Sequence, residues 1–208
     1  MDKLIKTFTN ADLDRAAKAV DDDRAYGEEA RLIRDCFNLY PQNTSREIVA
    51  MKIGLIDVTN STNISRYKSK ISVPELVDTL LGIEGLDERI KAGDISLVQE
   101  IAVATKKKYD INLFSFASKF CCYHNIFIYG GDAFSIYDTV LHDYIPMYAA
   151  GVSKRQLNIC RESCDYKRYM SIIDGILDAN QITTANRRRK FDNLVWYYNR
   201  KRGAKNEL

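Results

Sequence analysis

Hydrophobic residues recur at every third or fourth position along most of this chain, which is the spacing expected of amphipathic helices. The pattern predicts helices near residues 10–20, 25–39, 44–57, 73–82, 94–107, 112–124, 134–147, 153–178 and 184–200. Strand-like alternation is weak everywhere, and its best example is a two-stranded element within 126–133. The sequence therefore predicts an all-α fold.

Polar and proline residues mark several helix starts and two breaks. Ser72 is a predicted N-cap, and Pro74 after it suits a first helical turn. Asp94 is a second predicted cap. The stretch 57–63 is rich in small polar side chains that compete for backbone hydrogen bonds, and 125–133 contains a Gly-Gly-Asp turn. Both stretches are predicted loops.

The composition is that of a globular protein. The chain has 208 residues, of which 46% are hydrophobic and 28% charged, enough for one domain. We expect a single compact domain over 1–208, with one lobe near 46–150 and another made of 1–45 and 151–208. There is no apolar run long enough to span a membrane, and the first residues lack a signal-peptide pattern. A cytoplasmic, monomeric protein is the expectation.

The cysteine and histidine content gives no pattern for a metal site. The odd number of cysteines, five, argues against a disulfide framework. Cys160 and Cys164 are spaced to share a helix face, but neither histidine is close enough in sequence to complete a zinc site. We expect no metal and no cofactor, and the cysteines are interpreted as small buried hydrophobic residues.

Basic residues are clustered although the net charge is only +3. Clusters occur at 187–190, at 199–202 and at Arg66, Lys68 and Lys70, whereas acidic residues collect between 12 and 29. This asymmetry suits one surface that faces phosphates. Solvated helix faces explain each cluster about as well.

Lys119 and Asp138 are the main candidates for chemistry. Lys119 lies among Phe116, Phe120 and Cys121, where a lysine must snorkel to solvent, pair with a charge or take part in a reaction. Asp138 follows it after nineteen positions and opens the next apolar stretch. The simplest alternative is a lysine that snorkels at a helix edge.

The segment S-F-A-S-K-F at 115–120 and I-Y-D at 136–138 resemble the lysine–aspartate pair of helix-hairpin-helix DNA glycosylases. The similarity is to the 8-oxoguanine glycosylase-like group, in a compact bacterial form. In that family a hairpin of the type L-P-G-V-G-x-K leads into the lysine helix. Here Ser115 and Ala117 replace the two glycines, which in the family allow the tight hairpin and its cation.

A second match lies upstream. Asn63-Ile64-Ser65-Arg66 is similar to the family's N-I-A-R segment, which lies beside the base pocket. The resemblance implies that residues 60–63 line the pocket or fill the gap left by a flipped base, and that Arg66 contacts DNA. A capping loop is an equally good interpretation of each residue taken alone.

The resemblance implies a fold, a reaction and a set of residues. The fold would be helix-hairpin-helix glycosylase-like, with two helical lobes flanking a cleft. The reaction would be excision of a damaged or modified base from double-stranded DNA with a flipped nucleotide, in repair or in defence against phage with modified DNA. Lys119 and Asp138 would be catalytic, and the substrate- or DNA-binding residues would be Asn60, Ser61, Thr62, Asn63, Arg66, Ser115, Ala117, His124 and Arg188.

Three further interpretations stay open. A non-catalytic DNA-binding module could keep the same fold. A helical partner-binding protein could use Lys119 and Asp138 as a buried ion pair. In the C-terminal stretch, core packing is the default, while Trp196 or Tyr197 could instead stack on a flipped base.

Overall fold

The computed structural model describes residues 5–24, 26–60, 62 and 64–203, with side chains up to residue 199. This part of the chain forms eleven α-helices and no strand, so the prediction of an all-α fold is confirmed for it. In chain order the helices are α1 (Asn10–Asp21), α2 (Tyr26–Leu39), α3 (Arg46–Asn60), α4 (Val73–Leu81), α5 (Leu86–Lys91), α6 (Ser96–Tyr109), α7 (Phe114–Tyr129), α8 (Thr139–Tyr144), α9 (Lys154–Glu162), α10 (Tyr166–Ala179) and α11 (Arg187–Gly203).

Side-chain caps fix the starts of several helices. Ser72 caps α4 in a capping box with Glu75, as predicted, and Thr9 and Ser153 do the same for α1 and α9. In each box the cap hydroxyl accepts a backbone N–H bond of the first turn, which would otherwise lack a partner. Asp94 accepts the Ser96 amide at 3.0 Å, just before α6.

The predicted helix 153–178 is wrong, because two helices cover it. Cys164 takes a positive φ of 57° between α9 and α10, and Asp165 then caps α10 by accepting the Arg168 amide. Positive φ ends a right-handed helix, and few residues other than glycine adopt it readily.

The five cysteines, Cys164 included, are free thiols.

Other boundaries also differ from the prediction. The predicted helix 134–147 is wrong at its start, because residues 134–138 are not helical and α8 begins only after Asp138. Helix α3 continues to Asn60, so only the end of the predicted loop 57–63 follows it. The two-stranded element in 126–133 is wrong, since α7 runs to Tyr129. The short helix α5 was not predicted.

Helix α7 lies at the centre of the molecule. It packs against α2, α3, α5 and α6, and every residue from 116 to 125 is buried. Around it, α1 packs on α11, and α11 contacts α8 and α10. A helix that is hydrophobic on all sides is expected to occupy such a core position. No described helix is both long and apolar enough to cross a bilayer.

A buried polar contact joins α3 to α7. The amine of Lys52 is 3.0 Å from Nε2 of His124 and 3.0 Å from Oδ1 of Asn43. Nδ1 of His124 lies 2.8 Å from the Phe120 carbonyl oxygen and therefore donates to it, so Nε2 is the acceptor for Lys52. Burial is the main cause that lowers the pKa of Lys52, to about 8, with the Asp87 carboxylate opposing it.

Lys52 should make the stability of the protein depend on pH. Between pH 8 and 10.5 the unfolded chain, with an ordinary lysine pKa of 10.5, binds more protons than the folded chain with its pKa of about 8, so stability rises with pH. We expect the unfolding free energy of the wild type, minus that of Lys52→Met, to grow by up to about 3 kcal/mol over this range. Urea unfolding measures the difference, and Lys91→Met, at an exposed lysine, is the control. Parallel pH profiles for wild type and Lys52→Met would contradict the expectation.

Candidate functional site

Two cavities meet at Asp138. The first, here called the lysine cavity, has a volume of about 270 Å³ and is lined by Tyr26, Thr59, Asn60, Ser115, Lys119, Asp138, Thr139, Val140 and Trp196. The second, the histidine cavity, has about 440 Å³ and is lined by Thr62, Tyr67, Asn112, Leu113, Ser115, Phe116, Tyr137, Asp138, Thr139, His142, Asp143, Asn158 and Arg161. Both include Ser115, Asp138 and Thr139, so these residues stand between them.

Lys119 reaches the lysine cavity from the second turn of α7. Its residue is only 3% exposed, and its amine donates to the main-chain carbonyl of Asn60 at 3.2 Å. Burial is the main cause that lowers the pKa of Lys119; the Asp138 charge opposes this effect and the Arg189 charge adds to it. A neutral lysine amine is a nucleophile, and burial is a common means of obtaining one.

Asp138 is held by the start of α8. Its backbone is extended, and its carboxylate accepts the Leu141 amide at 2.8 Å as the N-cap of that helix. The residue is half-buried. Because Lys119 bonds to Asn60 and Asp138 to Leu141, these bonds hold the two side chains in one cavity without joining them to each other.

The segment before Asp138 is fixed from α10 and α11. Asp192, fully buried, accepts the Ser135 hydroxyl at 2.8 Å and the Ile136 amide at 3.1 Å. The hydroxyl of Tyr169 donates to the Ile136 carbonyl at 2.6 Å. Burial raises the pKa of Asp192 to about 7, and the nearby Arg189 opposes the increase. A buried carboxylate thus sets the backbone position from which Asp138 projects.

An aromatic pair forms one wall of the lysine cavity. The rings of Tyr26 on α2 and Trp196 on α11 stack with their centroids 4.0 Å apart and a 24° angle between the planes. Trp196 therefore lies beside Lys119 and Asp138, where a sugar or base could contact it. From the sequence, stacking of Trp196 on a base was an alternative to core packing, and no role was predicted for Tyr26.

The upstream loop begins at the C-terminal end of α3. Asn60 contacts the site twice, since its carbonyl accepts from Lys119 and its Oδ1 accepts the Tyr123 hydroxyl at 2.5 Å. Asp57 accepts the Thr62 hydroxyl at 2.6 Å and the Ile64 amide at 2.8 Å, which orders the turn that follows. Arg66, on this turn, is exposed. Ser61 and Asn63 lie outside the described residues.

Three residues expected to bind DNA lie elsewhere. Ala117 and His124 are fully buried, because both belong to the enclosed helix α7, and His124 bonds to Lys52 instead. Arg188 makes a two-point contact with the Asp174 carboxylate, at 2.8 and 3.0 Å. None of the three lines either cavity, so their contact with DNA stays a prediction, whereas Ser115 lines both cavities.

Several site residues had no usable signal in the sequence. Thr59, Thr139 and Tyr26 line the lysine cavity, yet they are common residue types in unremarkable helical contexts. His142 lies four positions after Asp138, and this spacing on a short helix could have drawn attention to it. Among the described residues no group of three His, Cys, Asp or Glu side chains is arranged to hold a metal ion.

Comparison with known proteins gives a family but no activity. Residues 12–127 match the model of the HI_0787_N family, described as an N-terminal domain, and they make up more than half of the chain. An uncharacterized protein of Haemophilus influenzae is 31% identical over 134 residues, which span 63% of this chain and 59% of the relative. The chain thus covers less than two thirds of that protein's length. No solved structure matches the chain.

The family match includes α3 and most of α7, and therefore Asn60 and Lys119, but it ends before Asp138. By the extent of this match, the chain belongs to the HI_0787_N family.

Proposed function

We propose that this protein is a DNA N-glycosylase that excises a damaged or modified base. The observation that carries the proposal is the lysine cavity, where Lys119 and Asp138 line the same space. A lysine whose pKa is lowered by burial, next to a carboxylate held by a helix cap, supplies a nucleophile and an anion. These are two groups that can promote cleavage of a glycosidic bond.

The connection of α6 to α7 fits the proposed helix-hairpin-helix arrangement. The two helices pack against each other and are joined by residues 110–113, where Asp110 takes a positive φ of 54°. A tight turn of this kind favours glycine, but aspartate tolerates it better than most residues. The lysine then follows within the second helix, as in the family that the sequence resembles.

In this proposal Asp138 stabilises positive charge on the sugar. As the bond between C1′ and the base nitrogen breaks, the bonding pair leaves with the base, and the sugar develops oxocarbenium character. A preorganised carboxylate near C1′ stabilises that charge more in the transition state than in the ground state. The Leu141 amide fixes the carboxylate before the substrate arrives, so little reorganisation is required.

Lys119 then acts as the nucleophile. Its neutral amine forms a bond to C1′ as the base departs, and the base takes up one proton. The amine loses a proton and the sugar ring opens, with the ring oxygen becoming a hydroxyl, which gives a Schiff base between the lysine nitrogen and C1′. The neutral amine is available because burial disfavours the charged form.

The substrate would be double-stranded DNA with the target nucleotide flipped out of the stack, since neither cavity admits a duplex. Arg66 and Arg161 are both exposed. Arg161 lines the histidine cavity, and Arg66 directly precedes Tyr67, which also lines it. From these positions both arginines can contact phosphates. Repair of damaged DNA and defence against modified phage DNA use the same chemistry, and the geometry is compatible with either.

Borohydride trapping tests the lysine directly. With duplex DNA that contains an abasic or a modified site, wild type should form a covalent adduct, because borohydride reduces the Schiff base to a stable amine. Lys119→Ala should form none, and Asp138→Asn should excise the base at least about a hundredfold more slowly. Gel analysis of trapped DNA and of abasic sites measures both effects.

Lys91→Ala, at an exposed position outside both cavities, is the matched control and should behave as wild type. An adduct that persists in Lys119→Ala would remove the lysine from the proposal but leave Asp138 and a water nucleophile. Salt-dependent DNA binding without adducts or abasic sites from the wild type would instead indicate a non-catalytic DNA-binding protein.

The rate of Schiff-base formation should rise with pH and level off at a lower pH than it would for a lysine with the ordinary pKa. The reason is that only the neutral amine reacts, and burial lowers the pKa of Lys119. Asp138→Asn removes the negative charge that favours the protonated amine, so its profile should shift to lower pH. Single-turnover trapping on a preformed abasic duplex measures both profiles. A rise centred on the ordinary lysine pKa would contradict an activated Lys119.

Arg66→Ala should weaken duplex binding and reduce the slope of log affinity against log salt by about 1, because one phosphate contact is lost. Arg66 is exposed beside the histidine cavity. Fluorescence anisotropy at several salt concentrations measures the slope. Arg188→Ala should leave the slope unchanged, since Arg188 already pairs with Asp174; equal slopes for wild type and Arg66→Ala would place the DNA contact elsewhere.

A further inference from the structure

The histidine cavity is the larger of the two cavities that meet at Asp138. Its volume of about 440 Å³ lies within the range of roughly 300–1,000 Å³ typical of pockets for small organic molecules. Arg161 lines this cavity and brings a positive charge to it. Burial raises the pKa of Tyr137, another lining residue, to about 12, and the Arg161 charge opposes this increase. The cavity therefore offers a polar lining that the proposed mechanism has not yet used.

His142 presents a polar atom that lacks a partner. Its Nδ1 lies 3.1 Å from the Asp143 carboxylate, and the Lys154 amine holds the same carboxylate at 2.7 Å. Nε2 of His142 is buried and has no hydrogen-bond partner among the described residues. Because a carboxylate only accepts, Nδ1 carries a proton, and in the tautomer with this single ring proton Nε2 is an acceptor. A buried acceptor without a partner is costly unless a ligand supplies a donor.

We propose that the histidine cavity receives the base that is excised, and that Nε2 of His142 accepts a hydrogen bond from that base. This inference rests on the proposed glycosylase function and adds to it the position and the chemical class of the base. The base must present an N–H or amino donor to His142 and a carbonyl oxygen to Arg161. Cytosine, thymine, uracil, their 5-substituted derivatives and guanine-type bases meet both conditions, whereas adenine lacks the carbonyl.

The relative position of the cavities supports this assignment. A nucleophile approaches the anomeric carbon from the face opposite to the leaving group. Lys119 lines the lysine cavity and Asp138 lines both, so a sugar beside Asp138 that is attacked from the lysine cavity releases its base toward the histidine cavity. The volume there leaves room for a substituent on the ring.

The aromatic pair argues against the opposite arrangement. Tyr26 and Trp196 are already stacked on each other with centroids 4.0 Å apart, which leaves no slot for a base between them. They provide a wall for the sugar or a neighbouring nucleotide. The side chains that can read the polar edge of a base, His142, Asn158 and Arg161, line the other cavity.

Histidine NMR tests the cavity without any reaction. The chain contains two histidines, so the ring signals of His142 and of the fully buried His124 can be followed separately in the full-length protein. Added cytosine or 5-hydroxymethylcytosine should shift the His142 signals saturably and leave those of His124 in place, and adenine should act at least about fivefold more weakly. Absence of a saturable His142 shift would overturn the proposal.

A comparison of two substrates provides the second test. His142→Ala should slow excision from duplex DNA containing the target base by about tenfold, the scale of one lost hydrogen bond. It should leave trapping on a preformed abasic duplex within about twofold of wild type, because that substrate has no base to bind. His142→Gln, which keeps an acceptor oxygen, should recover part of the excision rate. Equal losses on both substrates would show a structural role and overturn the proposal.

Arg161→Ala, at an exposed residue, gives the same comparison if the His142 variants fold poorly, and it should reduce the preference for cytosine over adenine.

The two proposals fail in different ways. Cytosine binding at His142 without any excision by the wild type would refute the glycosylase function and retain the base cavity. Excision that is indifferent to His142→Ala and Arg161→Ala would retain the function and refute the base cavity.

Discussion

The enclosure of α7 is the constraint on which the site depends. Every residue from 116 to 125 is buried, so a lysine at position 119 has no solvent face through which it can snorkel. An ammonium in such a place loses hydration that one carbonyl bond to Asn60 does not replace. The consequence is an amine whose pKa is lowered and whose nearest open space is the lysine cavity. The packing that makes the core thus also makes the proposed nucleophile.

Asn60 and Asp138, the two other parts of the site, are positioned by polar contacts inside the same core. The Lys52–His124 bond ties α3 to α7, and α3 ends at Asn60, the acceptor for Lys119. Asp192 holds the backbone of 135–136, and the next turn presents Asp138. Each tie is a buried ionisable group with hydrogen-bond partners, an arrangement that is costly to disturb and therefore defines one geometry. Rigid supports of this kind keep the Lys119 amine and the Asp138 carboxylate in one cavity without letting them pair.

Sequence periodicity predicted most of the helices because their apolar stripes are clear, and capping chemistry predicted the start of α4 at Ser72. It did not predict the break at Cys164, since a positive φ at a residue other than glycine follows from tertiary packing and not from local preference. The pair of Lys119 and Asp138 was identified from residue type, spacing and the resemblance to the glycosylases. His124 was assigned to DNA from the same resemblance, because it follows Lys119 by five positions. Its contact with Lys52 depends on how α3 and α7 pack and is not visible in the sequence. The positions of Tyr26, His142 and Asp192 likewise follow from tertiary packing.

The limits of the family match divide the site into two parts. Residues 12–127 supply Tyr26, Asn60 and Lys119, which form one side of the lysine cavity. The residues after them supply Asp138, Trp196 and the Asp192 tie, together with His142 and Arg161 of the histidine cavity. The matched segment therefore contains the buried amine but lacks the carboxylate that would stabilise charge on a sugar and the His142 and Arg161 side chains that would contact a base. In this chain the proposed chemistry is a property of both segments packed together, and α11 and α10 help to join them, because α11 contacts α1 and α10 contacts α6.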